Sequence, residues 1–106
     1  MTEAPFGDGT LRLALGPSIR PDAVVLDDDD DMVLEDAYKA AFARFAKDGK
    51  EFAIFAPPSA AGARVALYTV GGELARGGVV KEAVFILPDN KALSVYEKVL
   101  ADLIKR

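Results

Sequence analysis

The alternation of apolar and polar residues predicts the strands of this chain. Residues 10–15, TLRLAL, carry leucine at every second position, a period of two that is typical of a strand with one solvent-facing side. DAVVL at residues 22–26 predicts a second short strand. EFAIFA at residues 51–56 is apolar on both sides, which predicts a strand inside a sheet. VKEAVFIL at residues 80–87 predicts a further strand, and its last five residues, AVFIL, are likewise apolar on both sides.

Two longer segments carry apolar residues at every third or fourth position, the spacing of an amphipathic helix. The first is MVLEDAYKAAFARFAKD, residues 32–48, which ends before Gly49. The second begins after Asp89 or Asn90, either of which can cap it, and continues to Arg106. We therefore predict two helices.

Glycine pairs divide the segment between these helices. Gly71-Gly72 separates RVALYTV from ELA, as in a tight hairpin turn, and Gly77-Gly78 predicts a second turn or a bulge. The predicted element order is ββαββ(β)βα. It describes a single α+β domain over residues 1–106, with two helices on a two-layer, largely antiparallel sheet of about five strands.

Composition narrows the class of protein. The 106 residues are 51% hydrophobic and 28% charged, which is typical of a globular domain, and the chain has no cysteine. Disulfides, zinc ribbons and thiol chemistry are therefore excluded. No run approaches the roughly 18 apolar residues of a membrane span, and the N-terminus lacks the pattern of a secretion signal. We expect a cytoplasmic protein without a membrane partner.

Charge is distributed unevenly along the chain. The first 36 residues contain ten acidic and two basic side chains, a net charge of −8, whereas residues 37–106 contain eleven basic and seven acidic ones, a net charge of +4. Because the overall charge is −4, direct binding of nucleic acid is not expected. The acidic part instead predicts a partner with a basic surface, either a second copy of this chain or another protein.

Five consecutive aspartates, Asp27, Asp28, Asp29, Asp30 and Asp31, contribute most of this acidity. They precede a predicted helix, so one of them can cap it while the others remain solvated. They are also weak candidates for a Mg²⁺ or Ca²⁺ site, although the run lacks the glycine and the glutamate of an EF-hand loop. A third interpretation is a docking strip for the basic partner.

Catalytic groups are scarce. The chain has no histidine and no cysteine, so the usual nucleophile triads and the usual acid–base residue near neutral pH are missing. The glycine motifs near residues 7–12 and 72–78 fail the tests for nucleotide fingerprints, because the required third glycine, lysine and helix are absent. We predict no catalytic residue and no cofactor, and we consider an enzyme the less favoured class.

Two functional hypotheses follow. The first is a small interaction module that forms homo-oligomers, since two helices cover only one face of a sheet whose central strands are apolar on both faces. The alternative is a small-molecule-binding domain or enzyme with a site between the meander and the helices. Tyr68, Glu73, Arg76 and Glu82 are the residues predicted for that site.

Overall fold

The computed structural model describes residues 2–16, 22, 30–57 and 62–104. The elements are β1 Thr2–Phe6, β2 Gly9–Leu15, α1 Asp31–Lys47, β3 Phe52–Phe55, α2 Ala63–Ala75, β4 Glu82–Leu87 and α3 Asn90–Ile104. Strands β2, β3 and β4 and helices α1 and α3 lie where elements were predicted. The prediction that EFAIFA lies inside the sheet is wrong for the described residues, because β3 is an edge strand. The strand predicted at residues 22–26 lies outside the described residues except for Asp22. None of the described helices is long and apolar enough to cross a membrane.

The sheet is mixed, so the prediction of a largely antiparallel sheet of about five strands is wrong. Within the described residues it has four strands in the order β1-β2-β4-β3. Only β1 and β2 are antiparallel, joined by a turn in which Gly7 has a φ of 61°. Strand β4 pairs in parallel with both β2 and β3. Parallel neighbours need a crossover connection, and between β3 and β4 that connection is helix α2.

Helix α2 replaces the predicted hairpin, so the described part of the chain has three helices and the prediction of two is wrong. Its buried apolar residues recur at steps of three and four, as a helix requires: Ala63, Ala66, Leu67, Val70 and Leu74. Neither Gly71 nor Gly72 has the positive φ of a hairpin turn. The apolar residues of RVALYTV fit the period of a strand as well as the period of a helix, and packing against the sheet favours the helix.

All three helices pack on one face of the sheet. Tyr38 of α1 and Tyr96 of α3 contact Phe85 of β4 at ring distances of 6.2 and 5.7 Å. Leu67 and Val70 of α2 are fully buried in the same core. The second sheet face, opposite the helices, carries a separate buried cluster, which consists of Ile54, Val84 and Ile86 with Ala14 packed against it. The described residues therefore form a layer of three helices on one face of a four-stranded sheet.

Candidate functional site

The first candidate region is the carboxyl edge of the sheet, which we define as the edge where β2, β3 and β4 end, at Leu15, Phe55 and Leu87. Helices α2 and α3 follow β3 and β4, so they begin near this edge. Helix α1 begins beside α2, since Leu34 Cδ1 lies 2.8 Å from the position of a Cβ on Gly62. Three helix amino termini, each carrying partial positive charge, therefore share one end of the molecule.

Side chains cap two of these helices. Asp30 Oδ1 accepts a hydrogen bond from Met32 N at 2.9 Å at the start of α1, and Asp89 Oδ1 accepts one from Ala92 N at 2.8 Å in α3. Helix α2 instead follows Gly62, which has a φ of 75° and no side chain to cap with. Its first N–H groups receive no acceptor from the capping position. Arg64 in the first turn of α2 is exposed.

Asp30 and Asp31, the last two residues of the aspartate run, lie at this end of the molecule. Asp30 caps α1 and Asp31 is its first residue, which is the capping role predicted for one member of the run. Asp27, Asp28 and Asp29 lie outside the described residues. Among the residues that are described, no group of three or more acidic side chains is placed to hold a metal ion. The metal site and the docking strip remain predictions.

The second candidate region is a groove over the outer face of α2, between α1 and α3, which we call the α2 groove. It consists of two adjoining depressions of about 400 and 330 Å³ that share Glu35, Tyr68, Thr69 and Leu103. Gly71 and Gly72 line the larger depression, together with Phe6 from β1. Because glycine has no side chain, the outer face of α2 is low at this point, and the neighbouring elements rise above it.

Ion pairs from two helices border the larger depression. Lys39 Nζ lies 2.7 Å from Glu35 Oε1 on α1, and Arg76 Nη1 lies 3.3 Å from Glu73 Oε2 on α2. The hydrogen bond and the charge of Glu35 raise the pKa of Lys39. Glu73 acts on that pKa in the same direction and Arg76 opposes it, so the two pairs influence each other.

Three of the four residues predicted for the ligand site meet in this groove. Tyr68, Glu73 and Arg76 line the larger depression. Glu82 does not, because it lies on the second sheet face and forms an ion pair with Arg12 at 3.4 Å. Lys39, Phe6 and Gly72 also line the groove and were not predicted. The helical spacing of buried residues in α2 would have placed Gly72 and Arg76 on its outward side.

Comparisons with known proteins relate the fold to the macrodomain. No family model matches this chain, and no curated protein sequence does. Seven solved chains match, among them the Trypanosoma brucei macrodomain in complex with ADP. The TM-score with that structure is 0.61 at 20% sequence identity, and the match covers 68% of this chain and 35% of the macrodomain chain. About two thirds of this chain thus shares its fold with about a third of that structure.

Proposed function

We propose that this chain is a small-molecule-binding domain that takes a nucleoside diphosphate at the carboxyl edge of its sheet. The observation that carries the proposal is the likeness of its fold to that of a macrodomain solved with ADP. The proposed ligand is a small molecule, as in the alternative hypothesis. The proposed site differs from that hypothesis, because it lies at the strand ends and not between the helices and the predicted meander.

Sheet topology supports this position. In open sheets with parallel strands, ligands bind in the crevice outside the carboxyl ends of the strands. Here three neighbouring strands, β2, β4 and β3, end at that edge in parallel. The same edge carries the amino termini of the helices, whose partial positive charge favours a diphosphate.

Helix α2 provides the best-placed groups for phosphate oxygens. Its first N–H groups are not capped by Gly62, and a phosphate can accept hydrogen bonds from them. The exposed guanidinium of Arg64 adds a fixed positive charge in the same turn, with a donor geometry that matches phosphate. The capping carboxylates Asp30 and Asp89 make the starts of α1 and α3 less suitable.

Calorimetric titration with ADP tests the proposal. We expect saturable binding by the parent chain and at least about tenfold weaker binding by Arg64→Ala, since a hydrogen bond to a charged group contributes about 1.5–3 kcal/mol. Arg44→Ala is the matched control, because Arg44 lies in the last turn of α1, away from the carboxyl edge. Adenosine, which lacks the phosphates, should bind more weakly than ADP.

Two results would contradict the proposal. Absence of both heat and a shift in melting temperature at millimolar ADP would refute the proposed ligand class, since a ligand that binds the folded state must stabilise it. Equal weakening by Arg64→Ala and Arg44→Ala would refute the proposed position.

A further inference from the structure

The larger depression of the α2 groove is a second concavity, and its charges differ from those of a phosphate site. Four charged side chains line it: Glu35, Lys39, Glu73 and Arg76. Two are acidic and two are basic, so the charges of the lining balance. A diphosphate entering the groove would meet as many carboxylates as cations and gain little from its charge.

The larger depression offers an acidic group and a basic group to one ligand. Glu73 is only 19% exposed, and its partner Arg76 is 75% exposed. The carboxylate therefore lies within the wall while the guanidinium reaches out into solvent. Across the depression, Lys39 and Glu35 are both about half exposed at 47% and 44%. A ligand ammonium can approach Glu73 and a ligand carboxylate can approach Lys39 without breaking a buried pair.

The remaining lining is apolar and aromatic. Phe6 and Leu103 are partly buried residues at the border of the core, and Tyr68 is 66% exposed, so its ring is accessible to a ligand. Between them, Gly72 lets a flat group approach the helix backbone, since a Cβ at this position would meet no atom within 4 Å. A volume of about 400 Å³ lies within the range of small-molecule sites, roughly 300 to 1,000 Å³.

From these features we infer that the α2 groove binds a zwitterion with a flat apolar ring, the chemical class of the free aromatic amino acids. The ammonium contacts Glu73, the carboxylate contacts Lys39, and the ring packs over Gly72 against Tyr68. The larger depression does not include Arg64, so this proposal is tested independently of nucleotide binding.

Titration with three related compounds tests the charge pattern. L-tryptophan carries both charges, tryptamine lacks the carboxylate, and indole-3-propionate lacks the ammonium. We expect tryptophan to bind at least tenfold more tightly than either analogue. No binding of tryptophan at millimolar concentration, or equal binding of all three compounds, would overturn the proposal.

Filling the floor of the groove tests its position. A Cβ on Gly72 meets no atom within 4 Å, so Gly72→Leu should fold normally and reduce tryptophan binding at least tenfold. The matched control is Ala40→Leu, which adds the same side chain at an exposed position of α1 outside the lining of either depression. Equal loss of binding in both variants would contradict the assigned position. ADP binding should persist in Gly72→Leu, and its loss would show that the two sites are one.

A more conservative substitution tests the role of Glu73. Glu73→Gln keeps the size of the side chain and removes its charge, so tryptophan and tryptamine should bind more weakly while indole-3-propionate binds as well or better. Equal weakening of all three ligands would indicate a purely structural role and would contradict the proposed contact.

Discussion

At the scale of single residues, two neighbouring glycines of α2 have different surroundings. A Cβ on Gly71 would lie 2.7 Å from Phe6 Cε1, whereas a Cβ on Gly72 would meet no atom within 4 Å. Glycine in a helix costs about 0.5–1 kcal/mol relative to alanine. At Gly71 that cost allows β1 to pack closely on α2, and at Gly72 it leaves the floor of the α2 groove open.

Alanine at each position separates these two roles. Gly72→Ala should raise the free energy of unfolding by about 0.5–1 kcal/mol, since only the helix preference changes. Gly71→Ala gains the same preference but displaces the Phe6 ring, so we expect it to be at least about 1 kcal/mol less stable than Gly72→Ala. Urea unfolding measures both values, and equal stabilities would show that the contact with Phe6 is unimportant.

Asp22 satisfies the backbone of the sheet at the outer side of β3. Its N–H donates to Ile54 O at 2.8 Å, and its Oδ2 accepts from Ile54 N at 2.8 Å. Its Oδ1 lies 3.0 Å from Lys50 Nζ. Asp22 thus forms hydrogen bonds with both backbone groups of Ile54, as a neighbouring strand would, and Ile54 is only 8% exposed.

Removing this carboxylate should be costly. Asp22→Ala leaves the Ile54 N–H without its acceptor, and we expect a loss of about 1–3 kcal/mol in the free energy of unfolding. Asp102→Ala, at an exposed position of α3, is the control and should change stability by less than about 0.5 kcal/mol. Similar effects of the two substitutions in urea unfolding would refute this role of Asp22.

At the scale of elements, α1 borders the α2 groove through its pair Glu35 and Lys39. The pKa of Lys39 is raised by the hydrogen bond and the charge of Glu35. Since the pKa of Lys39 is higher in the folded state than in the unfolded state, the pair stabilises the fold fully below about pH 10.4, the ordinary pKa of lysine. The contribution disappears as the pH rises through the folded pKa. Both side chains are about half exposed, so its size is small.

Glu35→Gln removes the main cause of that shift. The pKa of Lys39 should therefore fall toward its ordinary value, which an NMR titration of the lysine side chain measures directly. Glu3→Gln provides the matched control, because Glu3 pairs with Arg12 at 3.1 Å on another element. A Lys39 pKa that is unchanged in Glu35→Gln would contradict the assigned cause.

The elements also show what the sequence could predict. Helices α1 and α3 and strand β2 have clear periods, while β3 and β4 are short apolar runs that each end just before a proline-containing segment, and local pattern was sufficient for all five. Helix α2 was misassigned because Gly71-Gly72 matched a hairpin turn, although the spacing of Ala63, Ala66 and Leu67 fits a helix. Tyr68, Glu73 and Arg76 were grouped correctly in space but on the wrong kind of element. Parallel pairing joins residues that are far apart along the chain, and a local sequence pattern carries no information about such pairs.

At the scale of the whole molecule, the acidic run remains a proposed contact for a second copy or a basic partner. Asp30 caps α1, so a test of the docking contact should leave Asp30 unchanged. Replacing only Asp27, Asp28 and Asp29 with asparagine should weaken self-association at low salt by reducing charge attraction. The free energy of unfolding should change little, because the cap is kept. Sedimentation velocity measures the association, and an unchanged distribution of species would remove the run from the interface.

The parallel pairing of β2 with β4 determines when the fold can form. Their register joins Thr10 to Glu82 and Leu15 to Leu87, so the centre of the sheet connects an early part of the chain to a late one. During synthesis, the side of β2 that pairs with β4 remains unpaired until β4 has been made. Contacts this distant along the chain form slowly, because a long loop must close before they contribute stability. For this protein the interval before β4 emerges is therefore the period of greatest exposure to aggregation.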